Sequence, residues 1–392
     1  MRLLMQKQRI NFYLLFLFIL SFNIIWMKKS ISQLLDIKSP AKQVISYDHE
    51  ADEVLFEKNA DQIMKPASMA KVMTAYIIFD KLKDQSLQMS DTFLVSNRAW
   101  RMGGSRSFLE LNTNVSIKDL LLGLIVQSGN DAAVVLAEGV SGEEEAFARE
   151  MNRYAKILGM NNTYFTNATG WPHPDLKTTS RDLIILTRNI IHNFPKLYEL
   201  FNEKIFTYNN IKQSNRNPLL YSMNGADGLK TGHTNESGYG LIGSVKKNNR
   251  RVSIVINGLN SKKKRTFESK RLFNIVFRET ALLSLFNDKK SLATANVWLG
   301  KQPQVNLVAE KAFKKIISPL ELNKTKIKIQ WQDPISAPIA KGDKVGNIFI
   351  DIPGKELIKQ NIVSSQSIDT MSTFMKAKSI LMYLLYGEFV VK

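Results

Sequence analysis

The order of strand-like and helix-like segments is the feature that most restricts the fold of this chain. Alternating apolar residues at 44–47 and 54–57 flank a polar turn and predict a β-hairpin. Three antiparallel strands are predicted much later, at 229–231, 239–245 and 252–256, with a polar hairpin turn between the last two. The block between these two groups of strands is mainly helical in pattern. This arrangement predicts an α+β fold.

The helical block carries recognisable helix starts. Pro66 precedes an apolar segment, which predicts a buried helix with proline near its first turn. Ser116 and Asp119 resemble a capping box ahead of a second apolar segment. The predicted helices cover residues 68–82, residues 116–126, a segment that begins at Asp131, most of the stretch from about 140 to 200, and residues 269–285.

The sequence pattern changes over the last hundred residues. Short strands at 326–330 and 346–350, separated by proline and glycine, predict a small separate β domain over residues 290–365. Residues 368–389 predict an amphipathic helix, which either packs in a core or lies in a membrane interface. We favour the interface because the segment is terminal, rich in methionine and aromatic residues, and preceded by a polar linker. The predicted apolar face consists of Met371, Phe374, Met375, Leu381, Met382, Leu385 and Tyr386.

Residues 1–27 have the layout of a secretory signal. Arg2, Lys7 and Arg9 precede an apolar run at 10–26. No A-x-A cleavage site follows this run, so the segment is either a cleaved signal peptide or an uncleaved anchor. Both alternatives predict that the rest of the chain is exported.

The composition excludes several kinds of chemistry. The chain has no cysteine, which excludes disulfides, a thiolate nucleophile and cysteine-ligated zinc. Its four histidines show no clustered ligand pattern, so neither a metal nor a cofactor is predicted. The net charge of +19 suits either nucleic acid or anionic lipid and cell-wall polymer. The densest basic run, Lys262–Arg265, lacks interleaved aromatic residues, so we predict a solvated basic loop with one arginine recruited for function, and no nucleic-acid partner.

Three short motifs supply the candidate chemistry. Ser68 and Lys71 are three residues apart near a predicted helix start, so the lysine lies within reach of the serine hydroxyl. An apolar setting would lower the pKa of this lysine and allow it to act as a base. Ser128 and Asn130 lie between two predicted helices, where Ser128 can relay a proton to a leaving amine and Asn130 can hold a substrate amide and the lysine.

The third motif is Lys230-Thr231-Gly232, at the start of a predicted strand. Lys230 supplies a positive charge and Thr231 a donor, while Gly232 allows a substrate backbone to approach the strand edge. Each motif alone is weak. Their joint occurrence in this order resembles the active-site set of penicillin-recognising serine enzymes, which are acyl-transfer enzymes.

Longer strings around the motifs narrow this resemblance. Pro66–Lys71, Ser128–Ala133 and Gly228–Thr234 resemble the corresponding strings of low-molecular-mass penicillin-binding proteins that are D-alanyl-D-alanine carboxypeptidases. The likeness covers roughly residues 40–285, and the β domain and terminal helix match the layout of that family. It implies a β-lactamase and transpeptidase type of fold, in which helices cover an antiparallel sheet and the active site lies between the sheet and a helical subdomain.

The same resemblance implies specific roles and partners. The backbone amides of Ser68 and His233 would form the oxyanion hole, and Arg265 would meet the terminal carboxylate of the substrate. The expected partners are a peptidoglycan stem peptide that ends in D-Ala-D-Ala, β-lactam antibiotics, and the membrane surface through the terminal helix. The expected location is the periplasmic face of the bacterial inner membrane.

Three other functions are alternatives to a D-alanyl-D-alanine carboxypeptidase. A class A β-lactamase would need a deacylating glutamate after the second motif, and residues 161–170 contain no acid. A DD-endopeptidase stays open because the same groups can cut a cross-link. A non-catalytic envelope scaffold is disfavoured because Ser68, Lys71 and Lys230 are all present.

Overall fold

The structure is a computed structural model that describes residues 35–286 and 290–387. The signal or anchor predicted at 1–27 lies outside the described residues, and so does Phe389 at the end of the predicted terminal helix. Within the described ranges, no helix is both long enough and apolar enough to cross a bilayer.

A five-stranded antiparallel sheet joins the two strand groups of the sequence. Its strand order is β2-β1-β9-β8-β7, so the first hairpin pairs directly with the last strand of this region. This pairing confirms the predicted hairpin and the three later strands. Asn248 and Asn249, both with positive φ, make the predicted turn between β8 and β9. The strands up to residue 259 are β1 (Gln43–Asp48), β2 (Glu53–Lys58), β3 (Thr92–Leu94), β4 (Asn114–Ser116), β5 (Ile205–Tyr208), β6 (Ile211–Ser214), β7 (Ala226–Thr234), β8 (Gly238–Lys247) and β9 (Arg250–Leu259).

Most of the helices lie between β2 and β7, and one long helix follows β9. Two short 3₁₀ segments, Ala67–Ala70 and Glu199–Asn202, and one π-helical segment, Gly123–Gln127, adjoin them. The helices are α1 (Lys71–Lys83), α2 (Asn97–Arg101), α3 (Ile117–Leu122), α4 (Asn130–Ser141), α5 (Glu144–Leu158), α6 (Ser180–Asn193), α7 (Pro195–Tyr198), α8 (Leu219–Ser222) and α9 (Lys262–Glu279).

Helix α1 is the centre of the main core. Every residue from Lys71 to Phe79 is buried, as the apolar run predicted for a helix with no solvent face. The helix packs in one apolar cluster with residues of α4 and with Ile242 and Val255 of the sheet. Its first turn thereby holds a rigid position beneath the sheet edge.

Two expectations for the segment after β9 are wrong. The predicted helix at 269–285 begins instead at Lys262, because the Ser261 hydroxyl accepts a hydrogen bond from Lys264 N (3.1 Å) and caps the helix. The helix ends at Glu279, and residues Ala281–Leu285 form strand β10 instead. Lys262–Arg265 is therefore the first helical turn and not a loop; its three lysines are exposed, as predicted for a solvated run, whereas Arg265 is buried.

A mainly β domain follows. Its six-stranded sheet has the order β14-β16-β17-β12-β11-β15, and β10 pairs with β13 beside it. Buried aliphatic side chains of these strands, such as Leu307, Ile348 and Ile362, form a second core. Its further elements are β11 (Ala293–Trp298), β12 (Gln304–Ala309), β13 (Phe313–Ile317), α10 (Pro319–Lys324), β14 (Lys326–Trp331), β15 (Ile335–Ser336), β16 (Lys344–Asp351) and β17 (Ile358–Ser364).

The terminal helix is shorter than predicted. It is α11 (Thr373–Tyr386), with Ser372 as its cap, and Met371 lies outside it. Ile368 is not helical because it forms a β-bridge with Ile339 and is buried in the second core. None of the described side chains of α11 is buried, and Phe374 (78% exposed) and Leu384 (75%) are among the most exposed apolar residues. The helix is therefore not a core element.

Candidate active site

Ser68 and Lys71 meet where a 3₁₀ turn passes into α1. Lys71 Nζ lies 3.2 Å from Ser68 Oγ. The turn fits under the sheet because Gly232 of β7 has no side chain: a Cβ there would stand 2.9 Å from the Pro66 carbonyl oxygen. Gly232 therefore has a packing role that the sequence did not reveal, namely to let the serine-bearing turn approach the edge strand.

Two further acceptors surround the Lys71 amine. Nζ donates to Asn130 Oδ1 (2.6 Å) and to the Thr169 carbonyl (2.7 Å). The Asn130 amide is oriented by its own donation from Nδ2 to the Gly103 carbonyl (2.7 Å), so its oxygen faces the lysine. A neutral amine has two hydrogens and one lone pair. In the charged form Nζ can also donate to Ser68 Oγ; in the neutral form those two acceptors can take both hydrogens, which leaves the lone pair for Ser68 Oγ.

The electrostatic setting favours that neutral form. Burial, and secondarily the positive charge of Arg216, lower the pKa of Lys71 from 10.5 to about 7. Asp131 and Glu144 act in the opposite direction and raise it. The result is a lysine that changes protonation near neutral pH, which suits a general base.

Ser128 and Asn130 come from the junction between the π-helical segment and α4. Ser128 is buried and has a φ of 66°, a left-handed conformation that is uncommon for serine. The backbone around it is fixed, because Gly129 N donates to the Gly123 carbonyl (2.9 Å) and Asn130 N donates to the Ser105 carbonyl (2.7 Å). This junction directs Ser128 into the same cavity as Ser68.

The third motif lies on β7, which is an edge strand of the sheet. Its outer side is therefore not paired with another strand of this sheet. Lys230 and Thr231 are buried, and burial holds the pKa of Lys230 well below its usual value, with added repulsion from Lys71, Arg216 and Arg265. Lys230 and the cations that repel it form a positively charged cluster beside Thr231, which favours an anionic ligand.

Arg265 reaches the cleft from the first turn of α9. Burial lowers its pKa to about 10, and its guanidinium carbon lies 5.8 Å from the centre of the Tyr239 ring. Its Nε has no hydrogen-bond partner among the described residues. A buried donor without a partner is costly, so the geometry suits a ligand that supplies an acceptor.

Two adjoining cavities bring most of these residues together, whereas Lys71 and Lys230 are buried behind the cavity walls and line neither cavity. One of about 480 Å³ and one of about 290 Å³ share Ser68, Ser105 and His233 in their walls. No metal site is apparent, since the described chain holds no suitable cluster of histidine and acidic side chains. The larger cavity is lined by Ser68, Ser105, Ser128, Arg216, Thr231, Gly232, His233, Tyr239, Lys262 and Arg265.

Sequence reasoning missed several of these wall residues. Arg216 lies between β6 and α8, donates to Ser105 Oγ, and repels Lys71 and Lys230. Trp171 and Thr169 belong to a loop that forms the wall of the smaller cavity. No motif marks these residues, because their contacts join segments that are far apart in the chain.

Comparisons with known protein families and with individual proteins agree on one family. A D-alanyl-D-alanine carboxypeptidase family profile matches residues 28–261, and a penicillin-binding protein 5 C-terminal domain profile matches residues 282–370. The chain is 35% identical over 337 residues to D-alanyl-D-alanine carboxypeptidase DacC of Escherichia coli K12, and the match covers 84% of each protein.

Two other matches bear on the function. A crystal structure of penicillin binding protein 5 from Haemophilus influenzae superposes with a TM-score of 0.71 and 33% identity, over 85% of this chain and 100% of that one. A D-alanyl-D-alanine endopeptidase of E. coli K12 is 33% identical over only 219 residues, which is 53% of this chain and 68% of that protein.

Proposed function

Since the chain belongs to the D-alanyl-D-alanine carboxypeptidase family, we propose that it releases the terminal D-alanine of peptidoglycan stem peptides through an acyl-enzyme on Ser68. The observation that carries this proposal is the contact of Ser68 Oγ with the buried Lys71 amine. In its neutral form the amine can donate its two hydrogens to Asn130 Oδ1 and the Thr169 carbonyl, which leaves its lone pair to accept the proton of Ser68.

The reaction follows from this arrangement. Lys71 accepts the proton of Ser68 as Oγ attacks the carbonyl carbon of the penultimate D-alanine, and the carbonyl oxygen becomes an oxyanion. We assign its stabilisation to the backbone amides of Ser68 and His233, which both line the cleft. As the tetrahedral intermediate collapses and its C–N bond breaks, Ser128 passes its proton to the departing amine of the terminal D-alanine and takes the proton held by Lys71, which returns Lys71 to its neutral form. Water then hydrolyses the ester and regenerates Ser68.

The cationic wall selects the leaving residue. Thr231 supplies a hydroxyl, and the pKa values of Lys230 and Arg265 are lowered by burial and also by repulsion from Arg216, so an anion beside them would stabilise their charged forms. A free terminal carboxylate is such an anion, whereas an amide or a continuing peptide is not. This argument favours a carboxypeptidase over an endopeptidase, whose substrate continues past the cut bond.

β-Lactam antibiotics follow the same path to Ser68. The loop at 161–170 contains no acid that could activate a deacylating water. The loop meets Lys71 through the Thr169 carbonyl instead. We therefore propose that penicillin forms a long-lived adduct and that β-lactamase activity is minor.

We expect kcat/KM to fall on the order of 10²-fold when the terminal D-alanine of a D-Ala-D-Ala peptide is amidated. The cause is the loss of a charge-assisted contact, worth about 3 kcal/mol in a desolvated site. D-Alanine release from the acid and D-alaninamide release from the amide give the two rates. Equal turnover of the two substrates would favour the endopeptidase.

Arg265→Ala should lower turnover of the free acid and barely change the poor amide. Lys264→Ala is the matched control, because this exposed lysine in the same helical turn removes one charge without lining the cleft. Equal losses on acid and amide would mean that Arg265 has a structural role only.

We also propose that the protein is exported and held at the outer face of the inner membrane by α11. The support is the secretory pattern at 1–27, the net charge of +19 and the exposed apolar side chains of the helix. The rings of Tyr383 and Trp298 pack edge to face, with their centres 5.5 Å apart. This contact attaches α11 to the β domain while apolar side chains of the helix stay exposed.

Removal of residues 373–392 from the processed protein should prevent its sedimentation with anionic lipid vesicles. The cut must begin after Ile368, because that residue belongs to the second core and its loss would damage the β domain. A processed Phe374→Ser/Leu384→Ser variant that keeps the C-terminus tests the same face without truncation and should also stay in the supernatant. Persistent sedimentation of the truncated protein would contradict anchoring by α11.

A further inference from the structure

Glu144, the first residue of α5, is a buried carboxylate that the reaction scheme does not use. Acidic residues at helix starts are commonly exposed and stabilise the helix dipole. The neighbouring Glu145 is of that kind, with 54% of its side chain exposed, whereas the figure for Glu144 is 6%. Burial of a carboxylate carries a desolvation cost, so its partners must compensate.

One oxygen of Glu144 holds the loop that touches the lysine. Oε1 accepts a hydrogen bond from Ala168 N (3.0 Å). The carbonyl of Ala168 accepts from the Thr74 hydroxyl of α1 (2.7 Å). The next carbonyl, that of Thr169, accepts from Lys71 Nζ (2.7 Å). The loop is thus fixed on both sides immediately before the group that takes one hydrogen of Lys71.

The other carboxylate oxygen of Glu144 contacts α2. Oε2 accepts from Arg98 Nη2 (2.7 Å). Arg98 lies in α2, and Gly103, whose carbonyl orients the Asn130 amide, follows two residues after the end of that helix. Asn130 Oδ1 takes the second hydrogen of Lys71. The Arg98–Glu144 pair therefore links the loop that carries the Thr169 carbonyl to the helix that precedes Gly103.

We propose that Glu144 is a positioning residue for Lys71: together with Arg98 it holds the Thr169 carbonyl and the Asn130 amide in the places that direct the lysine lone pair at Ser68. This inference rests on the proposed role of Lys71 as the base. Glu144 does not line either cleft cavity, so it acts through the loop and not on the substrate. The charged groups around Lys71 are Arg216, Lys230, Asp131 and Glu144.

Three variants test the inference: Glu144→Ala, Glu144→Gln and the control Glu145→Ala. The control removes a neighbouring carboxylate that also pairs with Arg98 but does not contact the loop. The rate of penicillin acylation at Ser68 is measured by intact mass and peptide mapping across a range of pH. For Glu144→Ala we expect a loss on the order of 10²-fold in the acylation step, as for a misplaced catalytic group, with little change in reversible binding. Glu145→Ala should stay close to the unmodified rate.

Glu144→Gln separates position from charge and keeps the test decisive if Glu144→Ala does not fold. The glutamine retains an oxygen for Ala168 N, so the maximal rate should fall only a few-fold. Loss of a nearby negative charge favours neutral Lys71, so the acid limb of the pH profile should move to lower pH. The inference would be overturned if both Glu144 variants acylated at the unmodified rate and the acid limb of the pH profile stayed where it is in the unmodified protein.

A failure of the proposed function would look different. The unmodified protein would then carry no adduct on Ser68, or Lys71→Ala would acylate normally, whatever the Glu144 variants did.

Discussion

Ser68→Ala is expected to abolish both the penicillin adduct and the release of D-alanine. Nζ of Lys71 contacts the hydroxyl of Ser68 (3.2 Å), so this hydroxyl can lose its proton as it attacks. The fold should survive, because the change removes one half-buried oxygen from a turn whose neighbours Met69 and Ala70 remain packed. Thermal unfolding should therefore match that of the unmodified protein.

The measurement is intact mass after incubation with penicillin, followed by mapping of the modified peptide. Ser105→Ala is the matched comparison, because Ser105 lines the same cavity but bonds Arg216 instead of Lys71. That variant should still carry its adduct on Ser68. An adduct on Ser128, or labelling that persists in Ser68→Ala, would show that the nucleophile has been assigned to the wrong residue.

Lys71→Ala is expected to slow acylation by about 10²–10⁴-fold, the range typical of a general base. Reversible binding should change far less, because Lys71 acts on the serine proton and does not face the leaving carboxylate. The variant also leaves the Thr169 carbonyl and Asn130 Oδ1 without their donor, so Lys71→Met and Lys71→Arg should be compared with it. A change confined to KM would make Lys71 a binding residue.

The pH profile of the unmodified protein tests the same base from another direction. A base acts in its neutral form, and burial lowers the pKa of Lys71 to about 7. The acylation rate should therefore rise with pH and reach half of its maximum near pH 7. A lysine with its usual pKa would instead give a rate that climbs until about pH 10. A profile flat between pH 5 and 9 would contradict this assignment.

Patterns confined to one segment predicted much of the fold correctly. The hairpin of β1 and β2, the buried helix α1 and strands β7 to β9 follow from hydrophobic periodicity and turn residues, which act over a few positions. The helix that starts near Ser116 was also foreseen, although Asp119 there accepts from the Ser116 hydroxyl instead of closing a full capping box.

Boundaries set by contacts between segments were less predictable. The first turn of α9 is rich in lysine and has no apolar period, yet Ser261 caps it and the sheet buries Arg265. The terminal helix begins late because Ile368 pairs with Ile339 and packs in the second core. In both places packing against another part of the chain outweighed the local pattern.

The candidate site likewise has features that the local sequence predicts and features that only tertiary contacts produce. The sequence alone determined that Ser68 and Lys71 could meet, because residues three apart share one face of a helical turn. The tertiary structure decided what surrounds them. Asn130 is 59 residues and Thr169 is 98 residues from Lys71 in the chain, and their hydrogen bonds depend on how α1, α4 and the loop before α6 pack together. Burial of the lysine and the positive charge of Arg216 arise from that packing, so its lowered pKa does too.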